Sequence, residues 1–67
     1  MNSQLLKAQM VRVKDTLAEL SAVLGCTPGT LSLKINGKSE FTQNEIALIS
    51  KHYQLSADEI KEMFFND

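Results

Sequence analysis

Thr16-Leu-Ala-Glu-Leu-Ser-Ala-Val-Leu-Gly-Cys-Thr-Pro-Gly-Thr-Leu-Ser-Leu-Lys-Ile-Asn-Gly-Lys38 is the stretch on which the reading of this chain turns. Thr16 is a good N-cap, and Glu19 three residues later completes a capping box, in which each side chain satisfies an orphan backbone N–H of the other. Leu17, Leu20, Val23 and Leu24 recur at helical spacing and predict one apolar stripe. Gly25 follows at once, where a residue that takes positive φ easily ends a helix. Cys26 is small and apolar enough to sit inside a turn. Thr27 caps a second helix, and Pro28 suits its first turn, where the missing N–H would have no partner anyway. Leu31 and Ile35 supply the inward stripe of that helix, and Asn36-Gly37 stops it. Two caps and two stops separated by so short a connection predict a helix-turn-helix.

Upstream, residues 3–14 read as a first helix capped by Ser3, with Leu6, Met10 and Val13 buried and Leu5 beside them. Lys7, Arg12 and Lys14 lie largely off that stripe. Arg12 reads as a solubilising charge, whereas Lys7 and Lys14 suit either that role or phosphate contact. Downstream, residues 37–41 read as a loop from which Phe41 folds back as a hydrophobic staple. Thr42-Gln-Asn-Glu45 is a second capping box, opening a helix to about Tyr53 with Ile46, Ile49 and Tyr53 inward, Ala47 and Leu48 alongside. Ser56-Ala-Asp-Glu59 is a third, opening a helix through Phe65 with Ile60, Met63 and Phe64 inward. Nothing alternates at period two for long, and there is no internal repeat or low-complexity segment. The expectation is an all-α fold of five helices, with residues 1–67 as a single domain.

A chain of 67 residues buries roughly 60% of its unfolded surface, and an apolar fraction of 43% is enough for a core. One cysteine cannot make an internal bridge, which suits a reducing compartment. No apolar run approaches the roughly 20 residues that span a membrane, and the N-terminal stretch lacks a signal-peptide core. The expected setting is therefore cytoplasmic, without membrane. Net charge is −1 but unevenly spread: residues 1–39 carry +3, residues 40–55 carry −1 and residues 56–67 carry −3. A mildly basic N-terminal half with an acidic tail fits one face turned to nucleic acid, and equally fits a solvated surface. Catalytic chemistry is not expected. His52 reads as a surface or half-buried histidine, Cys26 as a packing residue, and the pair cannot make a zinc site. Gly25, Gly29 and Gly37 lack phosphate-loop spacing. No metal or cofactor is expected.

Leu20, Gly25, Cys26, Thr27, Pro28, Thr30, Leu31, Ser32, Ile35, Asn36, Gly37 and Lys38 resemble the helix-turn-helix of the Cro and phage-repressor group. Its usual wording is Leu-Ala-x-x-Leu-Gly-Ile-Ser-x-x-Thr-Leu-Ser followed by Asn-Gly-Lys. The resemblance implies a five-helix lambda-repressor-like DNA-binding domain with a central helix-turn-helix. It implies a phage or prophage transcriptional regulator in a lysis/lysogeny-type switch, whose partner is double-stranded operator DNA. In such motifs the second helix enters the major groove. By resemblance, Pro28, Gly29, Ser32 and Leu33 occupy base-reading positions, while Thr27, Asn36 and Lys38 occupy or adjoin positions that hold phosphates. Lys34, if it points outward, and Lys14 would add phosphate contacts. A weak homodimer is expected because one short helix covers one half-site, and Met63-Phe64-Phe65 is its candidate contact.

The chain departs from the family in two places. Leu17 stands where the family often has a phosphate-clamping Gln, and the reading set holds no Arg, Gln or Asn for a bidentate base contact. Leu33 beside Pro28 and Gly29 would make an apolar patch of the kind that marks protein partners. Thr30 to Thr42 and Met63-Phe-Phe are similar to the modulators of repression of Gram-positive phages. That similarity implies an antirepressor that binds the cognate phage repressor over its DNA-binding surface, with Glu19 or Glu40 pairing to basic groups. A third reading has Leu33 tucked against Phe41 and never exposed.

Overall fold

The computed structural model describes residues 1–65, and over these residues the chain forms five α-helices. They are α1 (Ser3–Arg12), α2 (Leu17–Leu24), α3 (Pro28–Ile35), α4 (Gln43–Tyr53) and α5 (Ala57–Phe64). The fold is all-α with five helices, as the capping pattern predicts. Asp67, counted above in the acidic tail, lies outside the described residues.

One core joins the helices. It consists of Leu6 and Met10 of α1, Leu20 of α2, Leu31 and Ile35 of α3, Ile49 and Tyr53 of α4, and Met63 and Phe64 of α5. Each such side chain contributes about 1.5–3 kcal/mol by leaving water. Helix α2 packs on α3 and α4, α1 packs on α5, and α4 packs on α5. Val23, Leu24, Cys26, Phe41, Ile46, Leu55 and Ile60 close the core as half-buried neighbours.

Two corners of the fold are built alike. Helix α2 ends in Gly25 at φ +73, whose N–H donates to Ala22 O while that of Cys26 donates to Ser21 O. Helix α4 ends in Gln54 at φ +54, with the N–H of Gln54 on Lys51 O and that of Leu55 on Ser50 O. In each corner a left-handed residue, a half-buried apolar residue and a hydroxyl N-cap follow one another. These are the hydrogen bonds of a Schellman-type ending.

Several caps stand as read and some do not. Both Thr42–Glu45 and Ser56–Glu59 form complete reciprocal boxes. Thr16 accepts from Glu19 N at 3.1 Å, but the Glu19 carboxylate meets the Thr16 hydroxyl rather than its backbone N–H, so that box is half made. The cap of α1 is Asn2, not Ser3: its Oδ1 accepts from Leu5 N at 3.3 Å, and Ser3 is already helical. Helix α1 stops at Arg12 rather than at residue 14, because Lys14 reverses the chain at φ +60. The reversal turns Val13 outward, 46% exposed, where the apolar stripe predicts burial. Leu5 and Leu17 are likewise partly exposed at the edges of their stripes.

Candidate nucleic-acid interface

Helix α3 is held at both ends and along one side. At its start the Thr27 hydroxyl accepts from Thr30 N at 3.2 Å and donates to Thr30 Oγ1 at 3.0 Å, with Pro28 in the first turn. At its end Asn36 caps, and Gly37 leaves at φ +79. Leu31 and Ile35 are buried, which fixes the rotation of the helix about its axis. Helical spacing then turns Gly29, Thr30, Leu33 and Asn36 away from the core, and all four are exposed. Pro28 and Thr27 are exposed at the N-terminal end, Lys38 just beyond the C-terminal end. Ser32 is half-buried, and its Oγ accepts from Asn36 Nδ2 at 3.3 Å. The sequence-predicted residues Thr27, Pro28, Gly29, Ser32, Leu33, Asn36 and Lys38 thus share one helix and its flanks. Thr30 belongs with them and was missed. Its place next to Gly29 and three residues before Leu33 is the signal, masked by its role in the cap.

Leu33 is 50% exposed and does not tuck against Phe41. The Phe41 ring instead meets Phe64 edge-on, with centroids 5.7 Å apart.

Lys34 corrects a second expectation. It does not stand free for phosphate. Its Nζ donates to both carboxylate oxygens of Glu45, at 2.5 and 2.6 Å, and both side chains are only 12% exposed. The ammonium also lies 6.0 Å from the centre of the Phe41 ring. Glu45 takes a further bond from Thr42 N at 2.8 Å as part of its capping box. Burial alone would push the Glu45 carboxyl up, but the bonds from Lys34 and Thr42 outweigh it and hold the group below the usual carboxylate range.

The remaining cations are placed differently. Lys7 lines an open cleft of about 490 Å³ between α1 and α3 together with Met10, Val11, Leu17, Ser32 and Asn36, which brings it to the flank of α3. Lys14 is exposed in the reversal between α1 and α2, outside that cleft.

A second polar cluster holds that reversal to α4. Asp15 Oδ2 lies 2.8 Å from His52 Nε2 and accepts from the Tyr53 hydroxyl at 2.9 Å. The His52 bond, joined by that of Tyr53, holds the Asp15 carboxyl below its ordinary value against a burial that would raise it. Burial and the facing Asp15 push the Tyr53 phenol up. Sequence reading left His52 as a surface or half-buried histidine with no partner assigned. Its partner lies three helices away, and no local pattern announces it. Cys26 is half-buried against the core, as its place in the turn implies. Among the described residues no three of His, Cys, Asp and Glu converge as metal ligands, and no helix is long and apolar enough to cross a membrane.

Against known proteins, the profile of a family described as helix-turn-helix matches residues 6–60. That span runs from the first core residue of α1 into α5. No curated protein and no solved structure matches the chain.

Proposed function

The chain belongs to the helix-turn-helix family of the Cro and repressor type, a family of DNA-binding transcription regulators, and from that premise we propose that it is a phage or prophage regulator acting on operator DNA. The observation that carries this reading is the rotation of α3: Leu31 and Ile35 buried, Gly29, Thr30, Leu33 and Asn36 outward. In the major groove, Ser32 and Thr30 would offer hydroxyls to base edges and Leu33 a surface for a thymine methyl. Thr27, Asn36, Lys38 and, from α1, Lys7 would meet the phosphates on either side. Binding as a weak homodimer would place two such helices on the two half-sites of an operator. Phe65, 61% exposed beside buried Phe64, supplies apolar surface for that contact. The setting is the cytoplasm of a bacterial host.

A second reading is favoured by one observation. The outward face of α3 carries an exposed leucine and no free cation, which suits a protein surface better than a polyanion. In that reading the protein is an antirepressor that covers the DNA-binding face of its cognate phage repressor.

The deciding experiment is an electrophoretic shift titration on the DNA between the divergent promoters, with and without the neighbouring repressor, at two salt concentrations. A salt-sensitive shift by the protein alone, weakened with a shallower salt slope in Ser32→Ala/Lys38→Ala, supports operator binding. No shift alone, with loss or supershift of the repressor's band that Leu33→Asp abolishes, supports antirepression. If Leu33→Asp left both activities intact, α3 would not be the working face.

A further inference from the structure

We infer that Glu45 is a specificity-determining residue: it withholds from nucleic acid the one cation that the reading helix possesses. The inference rests on the operator-binding reading above. Helix α3 spans Pro28–Ile35 and contains a single charged residue, Lys34. Its ammonium is chelated by both oxygens of Glu45, and the pair is shielded to 12% exposure on either side. Lys34 adjoins Leu33, which is exposed on the outward face, so a released lysine has that face within reach of its flexible stem. Glu45 is fixed independently of Lys34 by its bond from Thr42 N at 2.8 Å and by the reciprocal bond of its own N–H to Thr42 Oγ1 at 3.1 Å. The acceptor is therefore built into the start of α4, and the lysine is drawn to it.

The consequence is chemical. The resemblance gives a released Lys34 a phosphate to meet, and a phosphate contact raises affinity for all sequences alike. With Lys34 closed off, non-specific attraction is left to cations outside α3, such as Lys38 and Lys7. Contacts along the helix are then made by neutral groups, hydroxyls and a leucine, that respond to the base edges. Glu45 lowers general affinity and so enlarges the share that depends on sequence. Glu40, which lines the same cleft as Lys34, is an acidic group positioned to take its place.

The test compares salt slopes on random-sequence duplex and on a heparin column. Glu45→Gln keeps a residue that suits the third position of a capping box, so the helix start is retained. Combining it with Glu40→Gln removes the substitute acceptor. This variant is expected to steepen the slope of log affinity against log salt by about 0.9, one added phosphate contact, and to elute from heparin at higher salt. Glu62→Gln/Asp58→Asn, charge-matched on the exposed side of α5, is expected to leave the slope unchanged. Adding Lys34→Met to the Glu45 variant should cancel the gain, while Lys34→Met alone should leave the wild-type slope in place. The proposal is overturned if Lys34→Met alone flattens the slope as Lys38→Ala does, or if freeing Lys34 changes nothing while Lys38→Ala still does. If the wild type binds neither polyanion at any salt, the operator reading itself fails, and the inference falls with it.

Discussion

The α2–α3 corner and the α4–α5 corner use the same hydrogen bonds for different ends. Gly25 and Gln54 are both left-handed, Cys26 and Leu55 both plug the turn, and Thr27 and Ser56 both cap the helix that follows. The correspondence continues inward, where Leu20 matches Ile49, Leu31 matches Ile60 and Ile35 matches Phe64. It breaks on the outside. Where α3 shows Gly29, Thr30, Ser32 and Leu33, α5 shows Asp58, Glu59, Lys61 and Glu62. A net-acidic face repels phosphate, which sets the second corner against the role proposed for the first. The comparison separates what makes a corner from what makes a reading helix: caps and plugs build the first, and surface charge selects the second.

Core truncation should split the two corners most widely. Leu31 is fully buried between α3 and its neighbours, whereas its counterpart Ile60 is half-buried. Leu31→Ala is expected to lower unfolding free energy by about 3 kcal/mol, and Ile60→Ala by about half as much, read from urea denaturation midpoints at unchanged slope. Equal losses would mean that the two corners bear on the core alike.

The left-handed residues come next. A Cβ at Gly25 would meet nothing within 4 Å, so the penalty of Gly25→Ala is set by its φ of +73 alone, about 1–2 kcal/mol. Gln54 already bears that penalty, and Gln54→Gly should stabilise by up to about 1 kcal/mol. Thermal melts of the two variants should therefore move in opposite directions, and a fall in both would show that Gln54 makes contacts its side chain does not reveal.

The smallest effect is on pH. Asp15 braces the start of the first corner against the last turn of α4 through His52 and Tyr53, with Glu19 also facing it. Its folded pKa lies below its unfolded value, so the stabilisation is whole above the ordinary aspartate range and is lost as pH falls through the folded value. Wild-type protein should lose stability progressively as pH falls below about 5, and Asp15→Asn should flatten that fall without abolishing it, since Glu45 titrates in the same sense. An unaltered acid profile would show that the brace does not outlast solvent competition.

How far the sequence could be read follows from the range of each interaction. The helix starts at Thr16, Thr27, Thr42 and Ser56 and the stop at Gly25 each rest on residues within about one turn, and these were legible. The start of α1 slipped by one because Asn2 and Ser3 are both good caps and adjacency cannot rank them. Val13 was misplaced because the stripe pattern carries no warning that Lys14, a non-glycine, would turn left-handed. Lys34 was misjudged for a longer-range reason. Its counterpart in the other corner is the buried Met63, so the site is an inward-leaning one that tolerates a lysine only because Glu45 arrives from the next helix. The outward set of α3 was drawn from the spacing of Leu31 and Ile35, and its base-reading role from the family resemblance; Leu33 stands exposed as that spacing requires, while Ser32 is half-buried and Thr30 was missed.

The hydrogen bond from Asn2 N to Met63 O, 2.7 Å long, joins the beginning of α1 to the end of α5 and so ties a loop around almost every other contact in the molecule. Closing so long a loop carries an entropy cost that grows only slowly with length but is met before any contact across it forms. The two corners, each contained in a few turns of chain, are free of that delay. Helix α1 is thus expected to dock late and let go early, so that slow amide exchange should be deepest in α2, α3 and α4 and shallowest at Asn2. The corner with the reading helix would then be in place while the molecule is still open behind it.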